Sequence, residues 1–292
     1  MSAALRPTLP TIAAILGAMA IVALVEAAIP LHPRNQWNRA HLTPNLALTF
    51  ITFATNAVLN AALVLTLMRL DAGGVGLLHA FAVPPVLSVA IVVVALDFAF
   101  FVCHVVMHRL PGFWRYHRVH HSDPAVDVTT SIRQHPGESV IRYVFMAAFA
   151  LPLGAPPAAF AVYRVWSALN GLLEHANVRV PARLDGLLGL VTTWPNLHKI
   201  HHDRRPEAFG TNYGNIFSIF DRIFGSFTPA NEALHVPYGL NGFDDRAVQT
   251  TVGLLALPFR DPAASGGGAP GKSVDSSNQR GLSGSYSTWR TI

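Results

Sequence analysis

Charge is scarce in this chain. Asp, Glu, Lys and Arg together make up 13% of 292 residues, about half the share of an ordinary soluble domain. Hydrophobic residues make up 51%. A soluble globule of this size needs a polar skin, which this composition cannot supply, so the chain is directed to a bilayer. Cysteine is nearly absent: Cys103 stands alone, which excludes an intrachain disulfide and any cysteine-based zinc or iron–sulfur site. Lysine occurs only at Lys199 and Lys272, so the net charge of +5 rests on arginine. A basic balance often marks nucleic-acid binding. Here the arginines lie between apolar spans, where the positive-inside rule accounts for them, and no nucleic-acid partner is expected.

A hydrocarbon core of about 30 Å needs about 20 apolar residues per helix. Thr8 to Val25 is free of charge and continues past Glu26 towards Leu31; it is longer than a signal-peptide core and reads as a retained helix. Further runs extend from Pro44 to Met68 and from Ala72 to Leu96, the last interrupted by Pro84-Pro85. A fourth, Tyr143 to Tyr163, contains Pro152 and Pro156-Pro157 and reads equally as a span or as a re-entrant hairpin. Arg69 and Asp71 cancel in one loop, whereas Arg109, Arg115, Arg118, Arg133 and Arg142 follow the third run. That excess places the segment after it on the cytoplasmic side. The tail at 261–292 is rich in Gly and Ser and reads as disordered.

Histidine is abundant: 14, against 16 Asp plus Glu. The pair His104-Val-Val-Met-His108 puts two imidazoles one helical turn apart on one face, able to reach one metal. Asp97, seven residues earlier, lies on that face, placed to accept the second N–H of a ligating imidazole. His117-Arg-Val-His120-His121 and His198-Lys-Ile-His201-His202 repeat the form H-x-x-H-H. Each offers three nitrogens to one small volume, or divides them between two ions. His135 and His175 are isolated candidates, while His32, His41, His79 and His235 read as interfacial or core residues. Zinc is satisfied by four ligands, so this many imidazoles imply at least two ions, and the donor set suits Fe, Zn, Cu or Ni.

The order Asp97, His104-x-x-x-His108, His117-x-x-His120-His121, His198-x-x-His201-His202 resembles the fatty acid hydroxylase/sterol desaturase superfamily of membrane-bound histidine-box di-iron oxygenases. The likeness runs from about Leu96 to Phe227. His120-His121-Ser-Asp-Pro is similar to the continuation of the second box. Thr130-Ser-Ile-Arg133-Gln-His135-Pro resembles a stretch found in bacterial and sterol-acting members. Pro195-Asn-Leu-His198 is similar to the lead-in to the third box, and Asn212-Tyr-Gly214 followed by Phe220-Asp-Arg-Ile-Phe-Gly225 to the closing signature.

The charge-free spans and the arginine distribution predict an all-α membrane bundle of three to four transmembrane helices carrying a cytosolic helical cap, built from about Arg109–Arg142 and Asn177–Asn241. N-terminal transmembrane helices are expected over 1–95, and the resemblance implies a catalytic domain over 96–245. By position, His104, His108, His117, His120, His121, His198, His201 and His202 are ligands of two Fe ions. His175 matches an isolated family histidine, and His135 one present in part of the family. Asp97 and Asp221 match acidic positions expected to hydrogen-bond ligating imidazoles; the alternative for Asp221 is an ion pair with Arg222 or Arg204. The implied activity is O2-dependent hydroxylation or desaturation of a lipid from the bilayer, with electrons from a separate ferredoxin, cytochrome or reductase. The lipid cavity is expected between the helices near Phe101 and Tyr143, lined by Phe98, Phe101, Phe145 and Phe149. Gln134-His135-Pro-Gly is also similar to a cytochrome b5 haem motif, but Glu138 replaces its second glycine and no separate domain fits there. A membrane metal-binding or transport protein without oxygenase activity is the alternative reading, and a bis-histidine cytochrome has no use for the adjacent His120-His121 and His201-His202. The expected location is a bacterial inner membrane with the cap in the cytoplasm. A reporter fused after Phe227 should read as cytoplasmic; a periplasmic signal would reverse the orientation.

Overall fold

Proline sets where the helices of this chain begin. In the computed structural model, which describes residues 8–33, 36–205, 210–230 and 236–260, Pro85, Pro111, Pro136, Pro157 and Pro195 each stand at the first position of a helix. The missing N–H costs nothing there and the fixed φ suits the first turn. In chain order the helices are α1 (Thr8–Ala28), α2 (Gln36–Ala72), α3 (Leu77–Ala80), α4 (Pro85–Arg109), α5 (Pro111–His121), α6 (Pro136–Leu153), α7 (Pro157–His175), α8 (Ala182–Leu188), α9 (Pro195–His201), α10 (Ile219–Ile223) and α11 (Thr251–Ala256). Among the described residues there is no strand, only two isolated bridges. The tail at 261–292 and His235 lie outside the described residues.

Among the described residues, three segments are long and apolar enough to cross a membrane: Leu9–Ala28, Arg39–Ala80 and Pro85–Arg109. Their outer faces carry exposed Ile21, Leu24, Val58 and Val86, a pattern that suits lipid rather than water. The third span begins later than the sequence suggested. Residues 73–84 form a turn around α3, and Pro84-Pro85 start α4 rather than interrupt it. At 37 residues, α2 is about 55 Å long, well beyond the hydrocarbon core. Its first turns rise into the cap, where His41 Nδ1 and Asn45 Nδ2 each reach Asp123 at 2.8 Å.

The fourth apolar run is a helical hairpin. α6 ends at Gly154 in the left-handed region (φ 61) and α7 restarts at Pro157. The turn meets the loop between α2 and α4 so closely that a Cβ on Gly76 would stand 2.4 Å from Gly154 Cα. Glycine is therefore required on both sides. Leu63, Leu67, Leu96, Tyr143, Met146 and Phe160 fill the space between α2, α4, α6 and α7.

Two buried polar knots tie this bundle to the cap. Glu26 Oε1 accepts from the amides of Val128 and Asn177, both at 2.8 Å, fastening the end of α1. Arg133 is fully buried, and its guanidinium donates to Val119 O, Asn45 Oδ1, Ser122 Oγ and Gln249 Oε1. Three separate segments thus share one cation, each acceptor satisfied as burial demands.

Candidate metal centre

Four helix segments deliver nine imidazoles to one place. α4 brings His104 and His108, α5 brings His117, His120 and His121, α7 ends on His175, and α9 with its C-cap brings His198, His201 and His202. They fall into two groups suited to hold a metal: His104, His108, His117, His121 and His201 in one, His120, His175, His198 and His202 in the other. Within each group all ligand atoms lie within 4.8 Å of one another. The repeated box works by division. The i and i+4 members share a helix stripe while the i+3 member is turned aside. Thus His117 and His121 serve the first group and His120 the second, whereas His198 and His202 serve the second and His201 the first. The groups adjoin, with His121 stacked on His202 at 4.5 Å between ring centroids and His198 on His201 at 4.9 Å.

The donor geometry fits a cation in each group. His104 Nδ1 faces Tyr213 O at 2.8 Å, and His175 Nδ1 faces Gly171 O and His201 Nδ1 faces Thr211 O at 2.7 Å. A carbonyl only accepts, so each Nδ1 carries the proton and each Nε2 is left with a bare lone pair. His175 Nε2 lies 3.0, 3.1 and 3.2 Å from Nε2 of His120, His198 and His202. One lone pair cannot accept from three nitrogens at once. Nitrogens sharing an ion about 2.1 Å away do sit roughly 3 Å apart. The first group repeats the pattern, with His117 Nε2 at 3.0 Å from His104 and 3.2 Å from His121, and His201 Nε2 at 3.1 Å from His121.

The acidic residues act differently from expectation. Asp97 touches no imidazole; its oxygens accept from the amides of Ile216 and Phe217 at 3.0 and 2.9 Å. Seven residues is about 10 Å of helix, too far for the carboxylate to reach His104. Asp221 likewise accepts from the amides of Tyr213 and Gly214 and from Ser226 Oγ, and pairs with neither expected arginine: Arg204 meets Asp244 and Arg222 donates to Gly189 O. Both aspartates clamp the loop at 213–217, whose Tyr213 carbonyl orients His104. The acid that hydrogen-bonds a clustered imidazole is Glu138, fully buried, with Oε1 3.0 Å from His117 Nδ1 and 2.9 Å from Arg142 Nη2. An i, i+4 Glu–Arg pair in an apolar helix was the available signal. His135 is not brought to either group. It caps α6, its Nδ1 accepting from Gly137 N at 2.9 Å while Nε2 faces Leu255 O at 3.3 Å.

A cavity of about 410 Å³ opens onto both groups, with His104, His120, His175 and His198 in its wall. It lies on a different face of α4 from the one expected. Phe98 and Phe101 pack with Phe220 and Phe224, and Phe149 leans on Phe98. Phe100, one turn before His104, is the α4 phenylalanine that lines the cavity.

Burial, reinforced by neighbouring imidazoles, holds His117, His120, His121, His198 and His202 well below 6.5. Burial brings His175 down to about 3 and His201 to about 4. Unfolded imidazoles titrate near 6.5, so between these values the unfolded chain binds more protons and stability rises with pH. Metal-free protein in detergent should show a flat Tm above about pH 7 and lose several degrees by about pH 5.5; an unchanged Tm would show that the imidazoles are not buried neutral. Glu138→Gln should weaken metal retention roughly tenfold or more in dialysis against a chelator, while His135→Ala should leave it unchanged. The reverse ranking would put His135 at the metal.

Residues 89–226 match the family model for fatty acid hydroxylase, and all nine clustered histidines and both aspartates lie within that range. Alkylglycerol monooxygenase of Danio rerio is 32% identical over 144 residues, 49% of this chain and 31% of that protein. The Homo sapiens alkylglycerol monooxygenase is 31% identical over 157 residues, 52% of this chain and 34% of that protein. Ornithine lipid hydroxylase OlsE of Rhizobium tropici is 28% identical over 176 residues, 60% of this chain and 51% of that protein. The chain thus spans about a third of the alkylglycerol monooxygenases and half of OlsE. No solved structure matches it. Residues 89–226, a little under half of the chain, are thus similar to the fatty acid hydroxylase family.

Proposed function

We propose that this protein is a membrane-bound, O2-dependent lipid hydroxylase or desaturase whose nine clustered imidazoles hold two iron ions. The observation that carries the reading is the cavity: its wall contains ligands of both groups and continues from them along α7 into the apolar bundle. When bound, iron supplies the one-electron redox chemistry through which O2 can oxidise an unactivated C–H bond. Relatives named for alkylglycerol and ornithine-lipid oxidation support a lipid substrate.

The protein's own residues set the conditions for that chemistry. The Tyr213, Gly171 and Thr211 carbonyls keep the protons of His104, His175 and His201 on Nδ1, so each Nε2 is ready to ligate without losing a proton first. Glu138 braces His117 from behind and spends its remaining charge on Arg142. Ile15, Phe100, Met146 and Phe160 give a hydrocarbon chain an apolar bed beside the nitrogens and exclude water from it. Glu174, also in the wall, has Oε1 3.9 Å from His198 Nε2, and its buried Oε2 makes no hydrogen bond. It offers an acceptor to a hydroxyl at the oxidised carbon.

Hydroxylation puts one oxygen atom into the lipid and releases the other as water, consuming two electrons and two protons; desaturation consumes the same and releases two waters. Cys103 is buried without a partner thiol, so a separate ferredoxin, cytochrome or reductase supplies the electrons. The cap with its arginines faces the cytoplasm, where such donors are found, in a bacterial inner membrane. Purified protein should carry two irons per chain and oxidise membrane lipid only with O2 and a reductant present; lipid profiles of a deletion strain and its parent identify the substrate. Product under strict anaerobiosis, or full activity with zinc as the sole metal, would overturn the reading.

A further inference from the structure

The cavity contains polar side chains that the metal groups do not explain. One face of α7 lines it from end to end, through Pro157, Ala161, Arg164, Ala168, Gly171 and His175, a stripe of i, i+3 and i+4 positions about 27 Å long. Small residues along that stripe leave room for a chain. Arg164 interrupts it, about 16 Å along the helix from His175. The hairpin turn at Gly154 meets the far loop at Gly76, so Arg164 lies within the depth of the apolar helices. A cation at that depth is costly and marks function by default.

Two arginines line the cavity, and they differ. The charge of Arg142 is met by Glu138 at 2.9 Å. Arg164 has its Nη1 3.8 Å from Met146 Sδ and its guanidinium 5.2 Å from the centre of the Tyr143 ring; among the described residues no carboxylate lies within 4.0 Å of it. Around it stand neutral polar groups from α2 and α6. The Tyr143 hydroxyl is 3.5 Å from Asn60 Oδ1 and donates to it, so the Asn60 amide has its Nδ2 donors to offer elsewhere. Asn56, Asn60 and Tyr143 all line the cavity, and they sit in the midst of otherwise apolar runs.

We propose that Arg164, with the amide donors of Asn60 beside it, binds the carboxylate of a single-chain lipid, a long-chain fatty acid, that lies along α7 with its hydrocarbon running to the histidine groups. The proposal rests on the lipid-oxidising reading of the site and narrows its substrate class. A monoanion suits this pocket: one guanidinium with neutral amides beside it neutralises a carboxylate in bidentate fashion, whereas a phosphate dianion leaves net negative charge in the apolar layer. The volume of about 410 Å³ is that of a site enclosing one drug-sized molecule. With each extended C–C bond advancing about 1.25 Å, the separation places the oxidised carbon roughly a dozen atoms from the carboxylate.

The test is competition against labelled palmitate on the purified full chain in detergent, without reductant so that nothing turns over. Methyl palmitate and hexadecyl phosphate are the competitors. Wild-type protein should prefer palmitate to its methyl ester by roughly tenfold or more. Arg164→Gln should abolish that preference while still binding the ester, and Arg164→Lys should retain part of it. Equal affinity of the wild type for acid and ester overturns the proposal even if the glutamine variant fails to fold. So does a glutamine variant that keeps the preference, or a wild type that favours hexadecyl phosphate. Acid-selective binding lost in Arg164→Gln, without any O2-dependent product, would overturn the oxygenase reading and leave this one standing. Oxidation of neutral lipids with no preference for the acid would do the opposite.

Discussion

Imidazoles that point nitrogen to nitrogen at about 3 Å, with their protons committed elsewhere, do not attract one another. In this protein three histidines donate an Nδ1–H hydrogen bond to a backbone carbonyl and a fourth faces a buried carboxylate. The bare Nε2 atoms converge in two groups. Such an arrangement persists only if the scaffold holds the rings from behind and a cation answers them from the front. Much of the cap can be understood as the means of holding them. Asp97 and Asp221 grip four backbone amides between 213 and 217 and the Ser226 hydroxyl so that one carbonyl stays opposite His104. Arg133 and Asp123 bind the first turns of α2 to α5 and to the 3₁₀ turn at Val128–Ile132.

This burden explains a composition that is otherwise odd for a membrane protein. Several of the buried charges each satisfy more than one partner: Glu26 two amides, Arg133 four acceptors, Asp123 the groups of His41, Asn45 and Thr130. Desolvating such groups is repaid only when their hydrogen-bonding capacity is filled. Loops of irregular backbone near the bilayer are tolerated when their amides are taken up in this way, which is what the two aspartates do for 213–217.

Much of this was legible in the sequence because it depends on helical spacing. The i, i+4 pair on α4, the two H-x-x-H-H boxes and the apolar runs all follow from period, and the structure places them where period requires. What was illegible depends on contacts distant in the chain. Glu138 reaches His117 across 21 positions and Tyr213 O reaches His104 across 109; no local pattern encodes either. Asp97 was on the predicted face, yet distance along the helix turned it from an imidazole partner into a loop clamp. His135 sat in a stretch similar to the family, but Pro136 after it makes it the cap of α6, and its ring is consumed there. The Pro84-Pro85 pair was read as a break because proline is disruptive inside a helix, when at the first position it is the reason the helix starts.

The same geometry decides how the cavity and the metal groups relate. His104 points two ways at once: Nε2 enters the first group, while its ring, with Phe100 one turn below, forms part of the cavity wall. His175 does likewise for the second group at the end of α7. Since α4 and α7 pack along the same core, a hydrocarbon chain lying between the helices is led towards both groups without any further element to guide it. The side chains that give the cavity its polarity are likewise carried on helices, Asn56 and Asn60 on α2, Tyr143 on α6 and Arg164 on α7, so rigid secondary structure rather than a mobile loop fixes the distance from the polar patch to the nitrogens. An enzyme built on this plan would select the oxidised carbon by length measured along α7. Substitutions of Ala161, Ala168 or Gly171 by larger residues would then alter where along a chain oxidation falls before they altered whether it occurs.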